Sequence, residues 1–243
     1  MATHRTRVAL CIPCLNEEPT IAGVVRDFRA ALPEAHVYVL DNASTDATAR
    51  VAAAAGATVL SVAARGKGRV VREMFRRISA DVYLMVDGDG TYPASAAGDL
   101  VAPVLAGCAD MVVGSRLHQR STSRFRFLNW CGNIGFMGCV NLLFGARLTD
   151  LLSGYRAFSR AFAERTPLSS DGFEIETELT VRALLQRERV LELPVDLGVR
   201  PPGSTSKIRV LRDGLRILGT IVRLAARGRP AAVPLLGTDR ARA

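Results

Sequence analysis

Val8-Ala9-Leu10-Cys11-Ile12-Pro13-Cys14-Leu15-Asn16-Glu17 is the stretch whose reading decides the architecture of this chain. Val8 to Ile12 is an apolar run of strand length that stops in a polar cluster, Pro13 to Glu17. Ile21, Val24, Val25, Phe28, Ala31 and Leu32 follow at helical spacing, which predicts a helix ending at Pro33. The pattern repeats downstream. Strands at Val37 to Leu40, Thr58 to Val62, Val82 to Val86 and Met111 to Val113 alternate with helices over Thr45 to Gly56 and Arg69 to Ile78. Such alternation predicts an α/β fold, a twisted and mostly parallel sheet with crossover helices. Ligands of open sheets bind beyond the carboxyl ends of the strands. Here those ends read Pro13 to Glu17, Asp41-Asn42, Arg65-Gly66-Lys67 and Asp87-Gly88-Asp89, four polar clusters expected to converge. After residue 115 the alternation stops. An uncharged helical stretch, a loop holding Ser153-Gly154-Tyr155-Arg156, an acidic helix start at Phe173 to Glu176 and a strand near Leu191 to Leu197 are expected there.

The 243 residues are 49% hydrophobic and 23% charged, the composition of one globular domain, which excludes a disordered, collagenous or disulfide-scaffold protein. The net charge of +9 is unevenly placed. Residues 1–199 hold 22 basic and 21 acidic groups, whereas residues 200–243 hold 10 and 2. The excess is therefore a local surface for an anionic partner and not a nucleic-acid-binding body. Three segments are expected: a catalytic unit over 1–207, a basic amphipathic helix over 208–228 and a disordered tail over 229–243. On that helix Arg209, Arg212, Arg216, Arg223 and Arg227 share one sector, with Val210, Leu211, Leu215, Leu218, Ile221, Val222 and Leu224 on the other side. This pattern suits an anionic membrane surface, and equally a core-docked helix with a solvated arginine face. Five cysteines and no apolar signal segment point to a reducing cytosol, with the protein cytoplasmic or peripheral to a membrane. The uncharged run Phe127 to Ala146 is long enough to span a bilayer, but its asparagines and glycines favour a buried or interfacial helix.

Asp87 and Asp89 flank a glycine at a strand end, an arrangement that suits a hard divalent cation also held by substrate phosphates, and equally a solvated turn. Asp41, at the tip of its strand, could accept from the N–H of a base. Arg65-Gly66-Lys67-Gly68 is not a Walker loop, since Ser61 and Gly68 stand where that loop needs Gly and Ser or Thr. Free N–H groups at the following helix start could still hold an anion.

Taken in order, Ile12 to Glu18, Asp41 to Asp46, Gly66-Lys67-Gly68, Asp87-Gly88-Asp89, Gly114-Ser115-Arg116, Ser153 to Arg156, Gly172 to Glu178 and Ser206-Lys207 resemble the family 2 glycosyltransferases. The branch they resemble most includes the dolichyl- and polyprenyl-phosphate sugar synthases, and the likeness covers residues 6–228. It implies an A-type glycosyltransferase fold, a UDP- or GDP-linked sugar donor, and Mg2+ or Mn2+. By position, Pro13, Asn16 and Glu17 would line the nucleotide pocket with Lys67, Asp41 would face the base, Asp87 would sit near the ribose and sugar, and Asp89 would bind the metal. Arg116, Arg156, Arg200 and Lys207 would lie near phosphates of donor or acceptor. Where the family often has a second aspartate, this chain has Asn42. A polyprenyl phosphate acceptor needs no general base, because the phosphate is already an anionic nucleophile. A hydroxyl acceptor needs one, and Glu174 and Glu176 are the candidates. The expected activity is hexosyl transfer to polyprenyl phosphate. The alternatives are a glycosyltransferase with a small-molecule acceptor in a secondary-metabolite or osmolyte pathway, and, outside that class, a nucleotidyltransferase or a nucleotide-sugar-binding subunit.

Overall fold

In the computed structural model, which describes residues 6–116, 124–203, 207 and 209–228, β1 (Val8–Cys14) lies inside a seven-stranded sheet. For residues 124–131 and 210 the backbone alone is described. β2 (His36–Asp41), β3 (Thr58–Ser61), β4 (Val82–Met85), β5 (Met111–Ser115), β6 (Arg156–Ser159) and β7 (Val190–Pro194) complete the sheet, in the order β3-β2-β1-β4-β6-β5-β7. All neighbours are parallel except β6, which runs antiparallel to both β4 and β5. The helices are α1 (Glu18–Ala31), α2 (Thr48–Ala54), α3 (Lys67–Arg77), α4 (Ala97–Leu105), α5 (Arg124–Phe144), α6 (Arg160–Arg165), α7 (Ile175–Leu185) and α8 (Val210–Ala225).

The pleat of β1 divides the core. Leu10, Ile12 and Cys14 pack with Ile21, Val25 and Phe28 of α1 and Leu100 of α4. Ala9 and Cys11 face the other layer, with Val71 and Met74 of α3, Leu179 of α7 and Ile221 of α8. Burial on both faces is why β1 reads as one continuous apolar run. From β1 the chain winds outward to β2 and β3, then returns to β4 on the opposite side. The carboxyl ends of β1 and β4 therefore border the crevice where the winding reverses, the usual ligand site of such sheets. Register holds the edge together: Cys14 pairs with Asp41, and the Val86 N–H donates to the Cys11 carbonyl at 3.1 Å.

The strand β6 departs from the expectation. Arg156 does not end in a loop but opens β6, which inserts between β4 and β5 and leads into α6. Four residues, Arg-Ala-Phe-Ser, are too few to show an alternation, and their burial comes from the strands on either side. The uncharged run forms most of α5, which packs on α7 and α8, and among the described residues no helix is long and apolar enough to cross a membrane. Cys11 and Cys14 are free and buried, and burial pushes both thiols far above their ordinary value, so neither is a ready nucleophile. The segment 229–243 lies outside the described residues.

The entry to α7 is pinned by Glu178, which is wholly buried. Its carboxylate accepts from the Ser169 N–H at 3.0 Å, the Ser170 N–H at 2.6 Å, the Ser169 hydroxyl at 2.8 Å and Arg182 Nε at 2.8 Å. Burial opposes its charge, but these donors prevail and hold the carboxyl at about 2, against an ordinary 4.5. A carboxyl depressed in this way contributes stability that is present above the unfolded value and lost as pH falls through the folded one. Glu178→Gln should therefore lower the unfolding free energy at neutral pH by on the order of 2–3 kcal/mol. The gap from wild type should close between pH 4.5 and about 2. Denaturant unfolding of both proteins across that range measures it.

Candidate active site

The loops after β1 and β2 are knitted into one wall. Asn16 adopts a left-handed backbone with φ 53°, and its Oδ1 accepts from the Thr45 N–H at 2.8 Å. The Asn16 N–H donates to Ser44 Oγ and the Glu17 N–H to Thr48 Oγ1, each at 2.9 Å. Asp46 accepts from the Thr48 N–H at 2.9 Å and so serves the start of α2. Pro13 pairs in register with Leu40, within the strands behind this wall. Asp41 ends β2 almost fully buried, and its Oδ1 is a buried acceptor that no protein donor reaches. Such an acceptor is costly unless a ligand completes it.

Asn42 explains its own departure from the family pattern. Its amide donates to the carbonyls of Val62 at 3.2 Å and Ala64 at 2.8 Å, and its Oδ1 accepts from the Gly66 N–H at 2.6 Å. An aspartate could make the third bond but neither donation. At Gly66, φ is 136° and a Cβ would stand 2.1 Å from the Asp171 carbonyl oxygen, so only glycine fits. The Gly68 N–H donates to the same oxygen at 3.0 Å. The amides of Gly66 and Gly68 at the start of α3 are thus engaged within the protein.

Lys67 itself lies behind the crevice. Its Nζ stands 2.5 Å from Asp87 Oδ1 and 2.5 Å from Glu176 Oε1, with the Phe173 ring 6.0 Å away. Burial disfavours its charge, but Asp87 and Glu176 outweigh that and hold the ammonium above its ordinary value. Burial also pushes the Glu176 carboxyl up, and its Oε2 has no partner. Glu176 thus reaches Asp87 through Lys67. Gly154 makes room for this carboxylate: a Cβ there would meet Asp87 Oδ2 at 2.4 Å. Glu174 has a different place. Its Oε1 accepts from the N–H groups of Asp171 at 3.1 Å and Gly172 at 3.0 Å, and it lines a cleft with Ser170, Arg216 and Thr220.

Asp89 accepts through Oδ1 from the Thr91 N–H at 3.0 Å and hydroxyl at 2.7 Å, and its Oδ2 pairs with Arg200. Lys207 Nζ pairs with Glu17 Oε1 at 2.5 Å and donates to the Asn16 carbonyl at 3.2 Å. The chain after β7 thereby returns across the loops of β1 and β4. Arg116 is held from behind by Asp150, whose Oδ2 accepts from Arg116 Nε at 2.7 Å and whose Oδ1 accepts from Asn133 at 2.9 Å. Burial works against the Arg116 charge, and Tyr92 and Asp150 hold it above its ordinary value. Arg156 is not brought to the crevice. It is fully buried, and its guanidinium donates to the carbonyls of Ser153 and Leu151 and to Thr180 Oγ1. Burial lowers its pKa. Nothing in the sequence pattern pointed to Asp150 or Asn133, whereas Thr91, two residues after Asp89, has the spacing of a local aspartate turn.

A doubly wound sheet that gathers carboxylates and partly buried cations at its reversal crevice defines an enzyme for an anionic, nucleotide-like ligand. The chain matches Glycosyl transferase family 2 over residues 9–166 and belongs to it; it is a glycosyltransferase. It is 38% identical over 226 residues to the glycosyltransferase AglJ of Haloferax volcanii, covering 91% of this chain and 74% of that protein. It is 29% identical over 218 residues to the undecaprenyl-phosphate mannosyltransferase of Micrococcus luteus, covering 82% and 86%. The glucosyl-3-phosphoglycerate synthase of Mycobacterium tuberculosis, solved with phosphoglyceric acid, has the same A-type glycosyltransferase fold. The TM-score is 0.75 at 23% identity, over 94% of this chain and 82% of that one.

Asn42→Asp tests the reading of that residue. Two buried carbonyls lose their donor and face a carboxylate, so the variant should be destabilised by about 2–4 kcal/mol. Thermal unfolding measures this, and an unchanged midpoint would refute the assignment.

Proposed function

We propose that the chain moves a sugar from a nucleotide-diphosphate sugar to an acceptor that carries a phosphate, with a divalent cation held at Asp89. One observation carries this reading. At the carboxyl edge of the sheet the carboxylates of Glu17, Asp41, Asp87 and Asp89 stand with the cations Lys67, Arg200 and Lys207, and Glu176 shares Lys67 with Asp87 from behind. Hard oxygen donors of this kind fit Mg2+ or Mn2+. Among the described residues no group of three or more ligating side chains forms a complete cage, which suits an ion that takes its remaining ligands from substrate phosphates. The same M. tuberculosis synthase has been solved with Mn2+, UDP-glucose and phosphoglyceric acid.

Asp89 would hold the ion, with Asp87 beside it kept in place by Lys67. The ion would supply neutralisation of the charge that develops on the departing nucleotide diphosphate. Asp41 Oδ1 would accept from a ring N–H of the base, which uracil and guanine both offer. Arg200 would leave Asp89, and Lys207 would leave Glu17, for donor phosphates, each exchanging one charge-assisted pair for another. Arg116, aimed by Asp150, would meet the acceptor phosphate.

The acceptor phosphate could come from two sources. A small phosphorylated molecule is supported by the shape shared with the phosphoglycerate enzyme, and polyprenyl phosphate by the Micrococcus relative. Glu174 and Glu176 each engage one carboxylate oxygen within the protein, Glu174 with the Asp171 and Gly172 amides and Glu176 with Lys67, and an acceptor whose phosphate attacks directly would need neither as a base.

Nucleoside-diphosphate release from UDP- and GDP-hexoses, with polyprenyl phosphate in one arm and 3-phosphoglycerate in the other, tests the proposal. Release should need a divalent ion and one of the two acceptors. Pyrophosphate release from a nucleoside triphosphate would instead assign nucleotidyl transfer. Asp89→Asn should cut turnover by about 100-fold or more while the fold persists. Asp41→Ala should raise the donor KM by about tenfold, the worth of one buried hydrogen bond, with turnover at saturating donor little changed.

A further inference from the structure

α8 has three faces where its sequence suggested two. Ile217, Thr220, Ile221 and Leu224 are buried against the domain, together with Asp213. Leu211, Leu215, Leu218 and Val222 are 81%, 65%, 43% and 58% exposed. At 100° per residue those four fall within about 60° of one another, a continuous ridge along the helix. Arg212, Arg216, Arg223 and Arg227 are exposed and run beside the ridge. The only acid on the helix, Asp213, is buried and accepts from the Arg209 N–H at 2.7 Å, so the outward side of α8 carries no negative charge.

α5 packs against α8 and extends the same character. From Gly132 to Phe144 it has no charged residue, and its Ile134 and Leu142 are exposed, Leu142 at 85%. A ridge of leucines in water is unfavourable and marks a surface that something covers. The chemistry of the rim selects the occupant. Arginines without acids beside an apolar ridge complement a bilayer with anionic headgroups, where leucines enter the boundary with the acyl chains and the guanidinium groups remain among the phosphates.

We propose that the outer faces of α8 and α5 form a docking surface for an anionic lipid bilayer. The surface is independent of the acceptor and of the catalytic reading above, because none of its residues belongs to the crevice. α8 begins three positions after Lys207, so docking sets the crevice beside the membrane.

Vesicle flotation tests the inference, using phosphatidylcholine alone and phosphatidylcholine with about a third phosphatidylglycerol, at low and raised salt. The protein should float with the anionic vesicles, bind neutral ones at least tenfold more weakly, and lose affinity as salt rises. Leu215→Glu with Leu218→Glu should abolish flotation while thermal unfolding stays as in wild type. Arg212→Gln with Arg227→Gln, which leaves the ridge intact, should weaken binding to anionic vesicles and leave the weak neutral binding unchanged. Equal binding to both vesicle types, or none to either, would overturn the proposal. So would a dimer in solution that fails to float and that the leucine substitutions dissociate, since the ridge would then belong to a second copy of the chain.

Discussion

One ammonium holds the two halves of this molecule in register. Lys67 Nζ lies between Asp87, just past β4, and Glu176, in the first turn of α7, and its side chain is only 10% exposed. A single buried ion is costly, and a buried pair stands only when its geometry and further bonds repay the lost hydration. Here one cation serves two acids, and burial pushes the Glu176 carboxyl up. The surroundings fix the ammonium in place. Gly66 and Gly68 press their backbone onto the 170–171 segment, and Arg69 and Arg72 both pair with Asp171. α3 therefore carries the entry to α7 and the acidic edge of the sheet as a single unit. Without the ammonium, Glu176 would be a buried acid beside Asp87 with no cation between them.

The same pairing recurs around the crevice. Arg200 stands on Asp89, Lys207 on Glu17 and Arg116 on Asp150, so each cation has an acid partner before any ligand arrives. The pairs differ in depth. Asp150 is out of water and bonded to Asn133 as well, which makes Arg116 a fixed donor. Arg200 and Lys207 lie on the segment that follows the last strand, and their acid partners Asp89 and Glu17 are 10% and 8% exposed, so a ligand could take the place of one partner in either pair. An anionic ligand with a divalent ion would satisfy both partners of an exchanged pair, the cation through phosphate and the carboxylate through the metal. Binding then costs little desolvation, because the charges at the crevice are already neutralised in pairs.

The sequence carried most of the sheet because each of β1 to β5 is an apolar or β-branched run closed by a polar cluster, and the predicted bounds differ from the observed ones by one or two residues. β6 was hidden because it has four residues and begins with a charged one, Arg156, whose fully buried guanidinium is made tolerable by acceptors on three other residues. The acids of the site were readable for a topological reason: Glu17, Asp41, Asp87 and Asp89 follow strands whose carboxyl ends must converge. Their partners were not. Lys207 and Glu17 are 190 positions apart, and Lys67 meets Glu176 across the boundary where the regular alternation ends. Periodicity reports on neighbours along the chain and says nothing of such pairs. Glu174 and Glu176 therefore looked alike in sequence, although one closes a turn and the other shares a buried cation.

α8 shows the same limit on a single helix. A helical projection separates arginines from aliphatic residues, but it cannot divide the aliphatic ones between a core and water, and it placed Ile221 and Leu224 with Leu211 and Leu215. Three dimensions divide them, since the domain presents only a strip wide enough for Ile217, Ile221 and Leu224. The Arg209 N–H donates to Asp213 at the start of the helix, and that start, Val210, lies three positions beyond Lys207. The angular position of the outer ridge is consequently tied to the residue that covers Glu17.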